Sequence, residues 1–354
     1  MRFQIISIIV FLGLFTQIGY AQKPKNNKKF NDKKGHTFSD NFFTIKPDTI
    51  KYRNGHVYIG GVVNQQLEGR GMLFSPYGDT LYIGEFRAGK KEGYGRYYFK
   101  KGNVYNGQWR DNHMHGQGSM RFLSGDYYEG EWRLDQRHGK GTYRYADGSV
   151  YEGEFVEGIV QGHGQLIKGE TSYTGDWLKG LKHGQGYLIM SSSDQYEEYR
   201  GGFNLGNYHG KGFWKHTKDN ITTIYEGEWK NGHRIGEGVY NINGKVMKGT
   251  WQEDACTGEG MSTTSEGTYK GKFKRGFYEG VGKMEYTNGN VYEGDFVRGR
   301  KQGFGKIVFK KSGNVYEGSW YMDKPNGHGK MTYASGKSVI GQFRDGKFVG
   351  NGKK

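Results

Sequence analysis

The amino-acid sequence predicts an all-β fold: an elongated single-layer antiparallel sheet of tandem β-hairpins, twisted or curved, with no globular core domain. Three observations predict it. A short motif restarts every 22 to 26 residues, most often after 23. Within each motif, aromatic residues and glycines alternate with polar residues at a period of two, as on the two faces of a strand. The 354 residues include 63 Gly but only 4 Pro, with 28 Tyr, 21 Phe and 7 Trp, a composition suited to rings lying over bare backbone. No stretch shows helical periodicity.

Before the repeats, two segments differ in kind. Met1-Arg2 leads into an apolar run from Phe3 to Phe15, followed by Gly19-Tyr20-Ala21. A basic start, a short hydrophobic core and a small-x-small ending predict a signal peptide over residues 1–21, cut after Ala21. The run is shorter than the ~20 apolar residues that span a bilayer. No cysteine lies near the cut for a lipid anchor. Residues 22–49 hold Lys23, Lys25, Lys28, Lys29, Lys33 and Lys34 among Asn and Pro. Such a segment has too little apolar surface to bury, so a flexible basic arm is expected. It serves either as a solvated spacer or as a contact for an anionic surface. The formal net charge of the whole chain is +16. Cys256 is the single cysteine, so an exported chain gains no internal disulfide.

Residues 50–354 form the repeat array. Tyr82, Gly84 and Phe86 open one unit; Tyr105, Gly107 and Trp109 open the next. Tyr128, Gly130 and Trp132 lead to Gly139 and Gly141, and Tyr151, Gly153 and Phe155 follow. Later units repeat the framework at Tyr225, Gly227 and Trp229, at Tyr292, Gly294 and Phe296, and at Tyr316, Gly318 and Trp320. Spacing by two puts Tyr128, Gly130 and Trp132 on one face, with Glu129 and Glu131 on the other. Pairing Trp132 with Gly139 sets Gly130 opposite Gly141 and Tyr128 opposite Tyr143. The same register places Glu131 against Lys140, Glu293 against Lys306 and Glu317 against Lys330, pairs worth about 0.2–1 kcal/mol each. Asn54-Gly55, Asp147-Gly148, Asn243-Gly244 and Asn288-Gly289 fall between hairpins and accept the positive φ of tight turns. Units starting at Tyr173 and Tyr199 run to 26 residues, and the unit at Met247 loses its tyrosine.

The pattern Tyr-x-Gly-x-Trp/Phe-x-x-Gly…Gly-x-Gly resembles the MORN repeat, and Tyr128 to Val150 is nearly its consensus. About thirteen units, degenerate at each end, fill residues 58–352. The resemblance implies hairpins that pair successively into one antiparallel sheet, and a role in contacts with proteins or membranes. MORN repeats accompany kinase or methyltransferase domains in some proteins, but the repeats leave no room for either here.

Apparent chemical motifs trace back to the repeat. Gly84 to Lys90 and Gly341 to Lys347 match most of a phosphate-binding loop but lack its Ser/Thr and a following helix. His115, His138, His183 and His209 precede the first glycine of their Gly-x-Gly. Equivalent positions lie two strands, roughly 10 Å, apart, too far to share an ion whose ligands each stand ~2 Å from it. Glu129, Glu152, Glu226, Glu293 and Glu317 recur at one position, as a solvated face does. No serine has a nucleophile-elbow context, and Cys256 has no His in its expected turn.

These readings predict a protein that is not an enzyme and needs no cofactor or metal. It would be an exported, periplasmic, envelope-associated or extracellular scaffold that binds a protein partner or itself. Anionic phospholipid and cell-wall glycan are the alternative ligands, and export disfavours nucleic acid. A single sheet has nothing to cover its aromatic side, so some ring area is expected to lie exposed as a contact surface.

Overall fold

The structure, a computed structural model, describes residues 29–31, 37–39 and 42–350. The expected signal peptide therefore lies outside the described residues. So does half of the expected arm over residues 22–49, of which Lys29 contributes backbone to a short ladder pairing residues 29–31 with 37–39. No α-helix occurs among the described residues. The chain divides into two compact units, Met1–Glu92 and Gly93–Lys354.

In the first unit, strands Asp48–Lys51, Val57–Val63, Gln66–Phe74 and Thr80–Arg87 pair antiparallel in chain order. Asp48–Lys51 occupies the place of the second half of an earlier repeat. Tyr58 is fully buried. Its hydroxyl donates to the Gly61 carbonyl at 3.0 Å, and Tyr82 likewise donates to Glu85 at 3.0 Å. Phe86 sits edge-on to both tyrosines, at 5.2 and 5.1 Å.

The second unit repeats one hairpin design down its length, from Val104–Arg110 with His113–Arg121 to Ser338–Arg344 with Lys347–Gly350. The hairpin Tyr127–Arg133 with Gln136–Arg144 shows the rules. Tyr128 pairs with Tyr143 and Gly130 with Gly141, as alternation predicts. Glu293 faces Lys306 and Glu317 faces Lys330, also as expected. Trp132, however, pairs with Arg137 rather than Gly139. The hairpin closes in a two-residue turn at Leu134 and Asp135, both left-handed at φ +49° and +67°. Consecutive positive φ values match the right-handed twist of the flanking strands. The register is restored by a bulge in which Glu131 opposes the stretch His138 to Lys140.

Gly139 takes φ +55° in that bulge, and a Cβ there would stand 2.5 Å from the Glu131 carboxyl carbon. Glu131 thus does not pair with the Lys140 ammonium; its Oε1 accepts the Lys140 backbone N–H at 3.1 Å. Asp295 and Asp176 accept from Phe304 and Gln185 in the same way, at 2.8 and 3.1 Å. The acid at this position caps the bulge.

The core is a row of tyrosines laid flat on glycine. A Cβ on Gly141 would stand 2.5 Å from Cε2 of Tyr128. Tyr128 is fully buried, and its hydroxyl donates to the Glu131 carbonyl at 2.9 Å. The ring meets Trp132 of its own hairpin and Phe155 of the next edge-on, each at 5.2 Å. The series continues through Tyr151, Trp177 and Tyr173. Edge-to-face pairs contribute about 0.5–1.5 kcal/mol each beyond area burial. Indole N–H groups tie successive hairpins: Trp132 donates to Gly118 and Trp320 to Gly305, at 3.0 and 2.9 Å. These rings shield one another, so the expectation of an exposed aromatic surface is corrected for the framework residues. The framework tyrosines are essentially fully buried, and Trp132 is 5% exposed.

Replacing Gly141 by Ala should destabilise the chain by about 1–3 kcal/mol through overpacking against Tyr128, read by urea unfolding. Gly148→Ala, with nothing within 4 Å of the added carbon, should show only the backbone cost of its φ of +86°, about 1–2 kcal/mol. Burial also pushes the Tyr151, Tyr225, Tyr269 and Tyr316 phenols from 10.0 up to about 12. Between those values the unfolded chain releases protons that the folded chain retains, so stability falls as pH rises from 10 to 12. Ultraviolet absorbance of tyrosinate should rise cooperatively with loss of sheet circular dichroism. Gradual ionisation without unfolding would contradict this.

Candidate functional site

The face opposite the tyrosines carries an open groove of about 630 Å³ in the second unit. It crosses strands His113–Arg121 to Thr171–Leu178, and its floor is the glycine ladder Gly130, Gly141, Gly153 and Gly164. Glu129, Glu131, Glu152 and Glu154 line it, opposed by Lys140 and His163. The floor is bare because alternation directs these positions to the other face, where a Cβ would meet the tyrosine ring. The acids project because alternation puts them opposite the rings.

Two kinds of carboxylate meet there. Glu131 caps its bulge, and Glu154 fills the space beside Gly162 where a Cβ would go. Glu129 and Glu152 are exposed, and the Tyr127 hydroxyl reaches Glu129 only at 3.4 Å. At the edge, His163 Nδ1 lies 3.1 Å from Asp176. That contact, with the Gln185 N–H, holds the Asp176 carboxyl below the usual carboxylate range against the opposing effect of burial. The arrangement offers two accessible carboxylates on a framed floor, which suits electrostatic and hydrogen-bonded contact with a cationic group.

Several cations are used inside the ring face instead. Arg137 lies 4.8 Å from the Tyr143 ring centre and donates to the Gly158 carbonyl at 2.7 Å. Arg234 packs at 5.0 Å from both Tyr240 and Trp251 and pairs with Asp254 at 3.0 Å. Lys301 lies over Tyr286 and Trp320 at 5.1 and 5.2 Å. Lys182 covers Tyr173 at 5.3 Å, and burial lowers its ammonium pKa while Glu197 opposes the shift. Sequence reasoning missed this use, although these residues share one position just after the hairpin turn.

The framework residues fall where the repeat places them: Tyr82, Gly84 and Phe86 in the first unit, the others from Tyr105 to Trp320 in the second. The phosphate-loop lookalikes are strand–turn–strand segments, with left-handed turns at Ala88-Gly89 and Asp345-Gly346. Among the described residues, no group of three or more His, Cys, Asp or Glu is placed to hold a metal. Nδ1 of His183 and of His209 is buried with no hydrogen-bond partner among the described residues. His113 and His233 contact Asp135 and Asp254 of the following turn at 2.6 and 2.7 Å, joining neighbouring hairpins. Cys256 is 1% exposed, and burial pushes its thiol up to about 11, which disfavours cross-linking to another chain. Lys23, Lys25, Lys28, Lys33 and Lys34 lie outside the described residues.

The model of the MORN repeat matches residues 82–104, 105–127, 128–150, 151–169, 173–195, 225–244, 269–291, 292–313, 316–338 and 340–354. The chain belongs to the MORN-repeat family. Repeats of this kind serve generally in contacts with proteins or membrane lipids. The units at Tyr58, Tyr199 and Met247 fall outside the matched segments, yet they form the same hairpins. No curated protein matches the chain. Among solved structures, a catalytically inactive virginiamycin B lyase variant from Staphylococcus aureus with quinupristin aligns at 10% identity. That alignment covers 89% of this chain and 87% of the other, with a TM-score of 0.12; a score so low carries no argument.

The division of labour among the acids is testable. Glu131→Ala should cost about 0.5–1.5 kcal/mol by removing the acceptor of the Lys140 backbone N–H. Glu129→Ala should change stability by no more than about 0.5 kcal/mol. Equal effects in thermal or urea unfolding would remove the distinction.

Proposed function

We propose that this protein is an exported, non-catalytic protein–protein interaction scaffold whose polar groove receives a basic segment of a partner. The observation that carries this reading is the groove itself. In a chain of net charge +16, it gathers Glu129, Glu131, Glu152 and Glu154 over a glycine floor. Glu131 is committed to backbone, whereas Glu129 and Glu152 face outward from a frame fixed by the buried tyrosines. Acids used as caps or presented singly to solvent fit recognition better than proton transfer. Export is supported by the signal-like residues 1–21.

Adhesion to anionic lipid is the alternative, motivated by the lysine-rich residues 23–34. The two differ in their response to one double variant. Glu129→Lys with Glu152→Lys should lower cross-linked capture of the partner about tenfold (~1.4 kcal/mol) at unchanged Tm. If capture is unaffected, while acidic vesicles retain the chain at low salt and release it at high salt, the lipid reading replaces the scaffold.

A further inference from the structure

The complete units from Tyr105 to Tyr316 share a cross-strand pair on the ring face. Tyr128 faces Tyr143, Tyr151 faces Leu166, Tyr199 faces Trp214 and Tyr292 faces Ile307. One unit departs at both members of the pair, where Met247 faces Ser262. Edge-to-face contacts reach Trp251 from one side and resume at Tyr269 and Phe273. Among the described residues, no ring contact joins the two series.

A pocket of about 280 Å³ opens at this break, walled by Tyr240, Ile242, Val246, Met247, Phe277 and Tyr278. Ser262 also lines it and is only 4% exposed. Its hydroxyl has no hydrogen-bond partner among the described residues. Lys245 lines the same pocket, is exposed, and makes no ion pair among the described residues. The hydroxyl opens on the pocket, where a ligand's polar group can reach it. The walls call for an apolar body. An apolar cavity of about 150 Å³ accepts benzene, so this pocket takes one ring with a short substituent and little more.

We propose that the pocket is a binding site for a small monocyclic aryl acid carrying a phenolic hydroxyl. The ring packs among Tyr240, Met247 and Tyr278, the hydroxyl hydrogen-bonds to Ser262, and the carboxylate meets Lys245. This site is independent of the polar groove, and its failure would leave the scaffold reading untouched.

Isothermal titration of the full chain with 4-hydroxyphenylacetate and with p-cresol tests the proposal. Both should bind saturably, one molecule per chain, the acid more tightly. Lys245→Ala should weaken the acid about fivefold or more and leave p-cresol unchanged. Ser262→Leu installs the residue type found at Leu166 and Leu188, and it should abolish both while raising Tm. Absence of saturable binding to the unsubstituted chain overturns the proposal, as does full binding by a folded Ser262→Leu. Should Ser262→Leu not fold, Ser262→Ala decides: p-cresol weakened about threefold or more supports the site, and unchanged affinity overturns it.

Discussion

Everything in this chain depends on a tyrosine ring lying flat across two paired glycines with its hydroxyl on a carbonyl three residues on. A single sheet ordinarily has a second layer against which to bury its apolar face. Here the sheet provides its own cover. Gly130 and Gly141 lower the surface by the thickness of a side chain, Tyr128 fills the recess, and Trp132 and Phe155 close it edge-on. The Glu131 carbonyl satisfies the hydroxyl, so burial of the phenol leaves no polar group unpaired. The abundance of both glycine and tyrosine follows from this one contact.

The same contact sets what the sequence could reveal. Period and alternation are properties of residue spacing, so the hairpins, the facing glycines and the Tyr128–Tyr143 pair were legible. The bulge was not. Counting back from Gly130 and Gly141 does not disclose that Gly139 turns left-handed and lets Glu131 oppose a longer stretch of the second strand. The hairpin turns were hidden for a related reason. Leu134 and Met322 take positive φ without the Asn-Gly or Asp-Gly signature, because strand twist imposes the turn whichever residue occupies it. The acids of the groove were read correctly as one face, but which of them cap a bulge and which stay free follows only from the register seen in three dimensions. The expected exposure of the rings failed because a ring that lies down needs no second layer.

Charge is divided between the faces by the same geometry. The position after each hairpin turn points to the ring side, where Arg137, Lys182, Arg234 and Lys301 lie against aromatic faces. These cations are thereby drawn away from the polar side, where bulge-capping requires an acceptor. Between Gln117 and Thr174 that requirement, together with the exposed Glu129 and Glu152, makes a locally acidic surface on a basic chain. Net charge taken alone points to anionic partners; the placement of the charges points to a cationic one.

Departures from the motif are tolerable because each hairpin packs chiefly on its neighbours, so a local defect need not propagate. The longer unit at Tyr199 shows how one is absorbed. Tyr208 stacks on Tyr199 at 3.8 Å, and Tyr208 and Trp214 both donate to Glu197, at 2.7 and 2.8 Å. The polar groups brought by the extra rings are thus satisfied, although the Trp229 indole N–H has no partner among the described residues. The unit at Met247 is handled differently. Cys256 and Phe273 move over Gly249 and Gly260, covering the glycines that a tyrosine would have covered. Nothing takes the place opposite Met247, where Ser262 stands for the large apolar residue of other units. Repeat decay at one position would be repaired by any larger aliphatic residue at 262, a single substitution with no steric obstacle in a pocket of about 280 Å³. A paired loss that opens an apolar hollow with a serine and a lysine in its lining has the construction of a site.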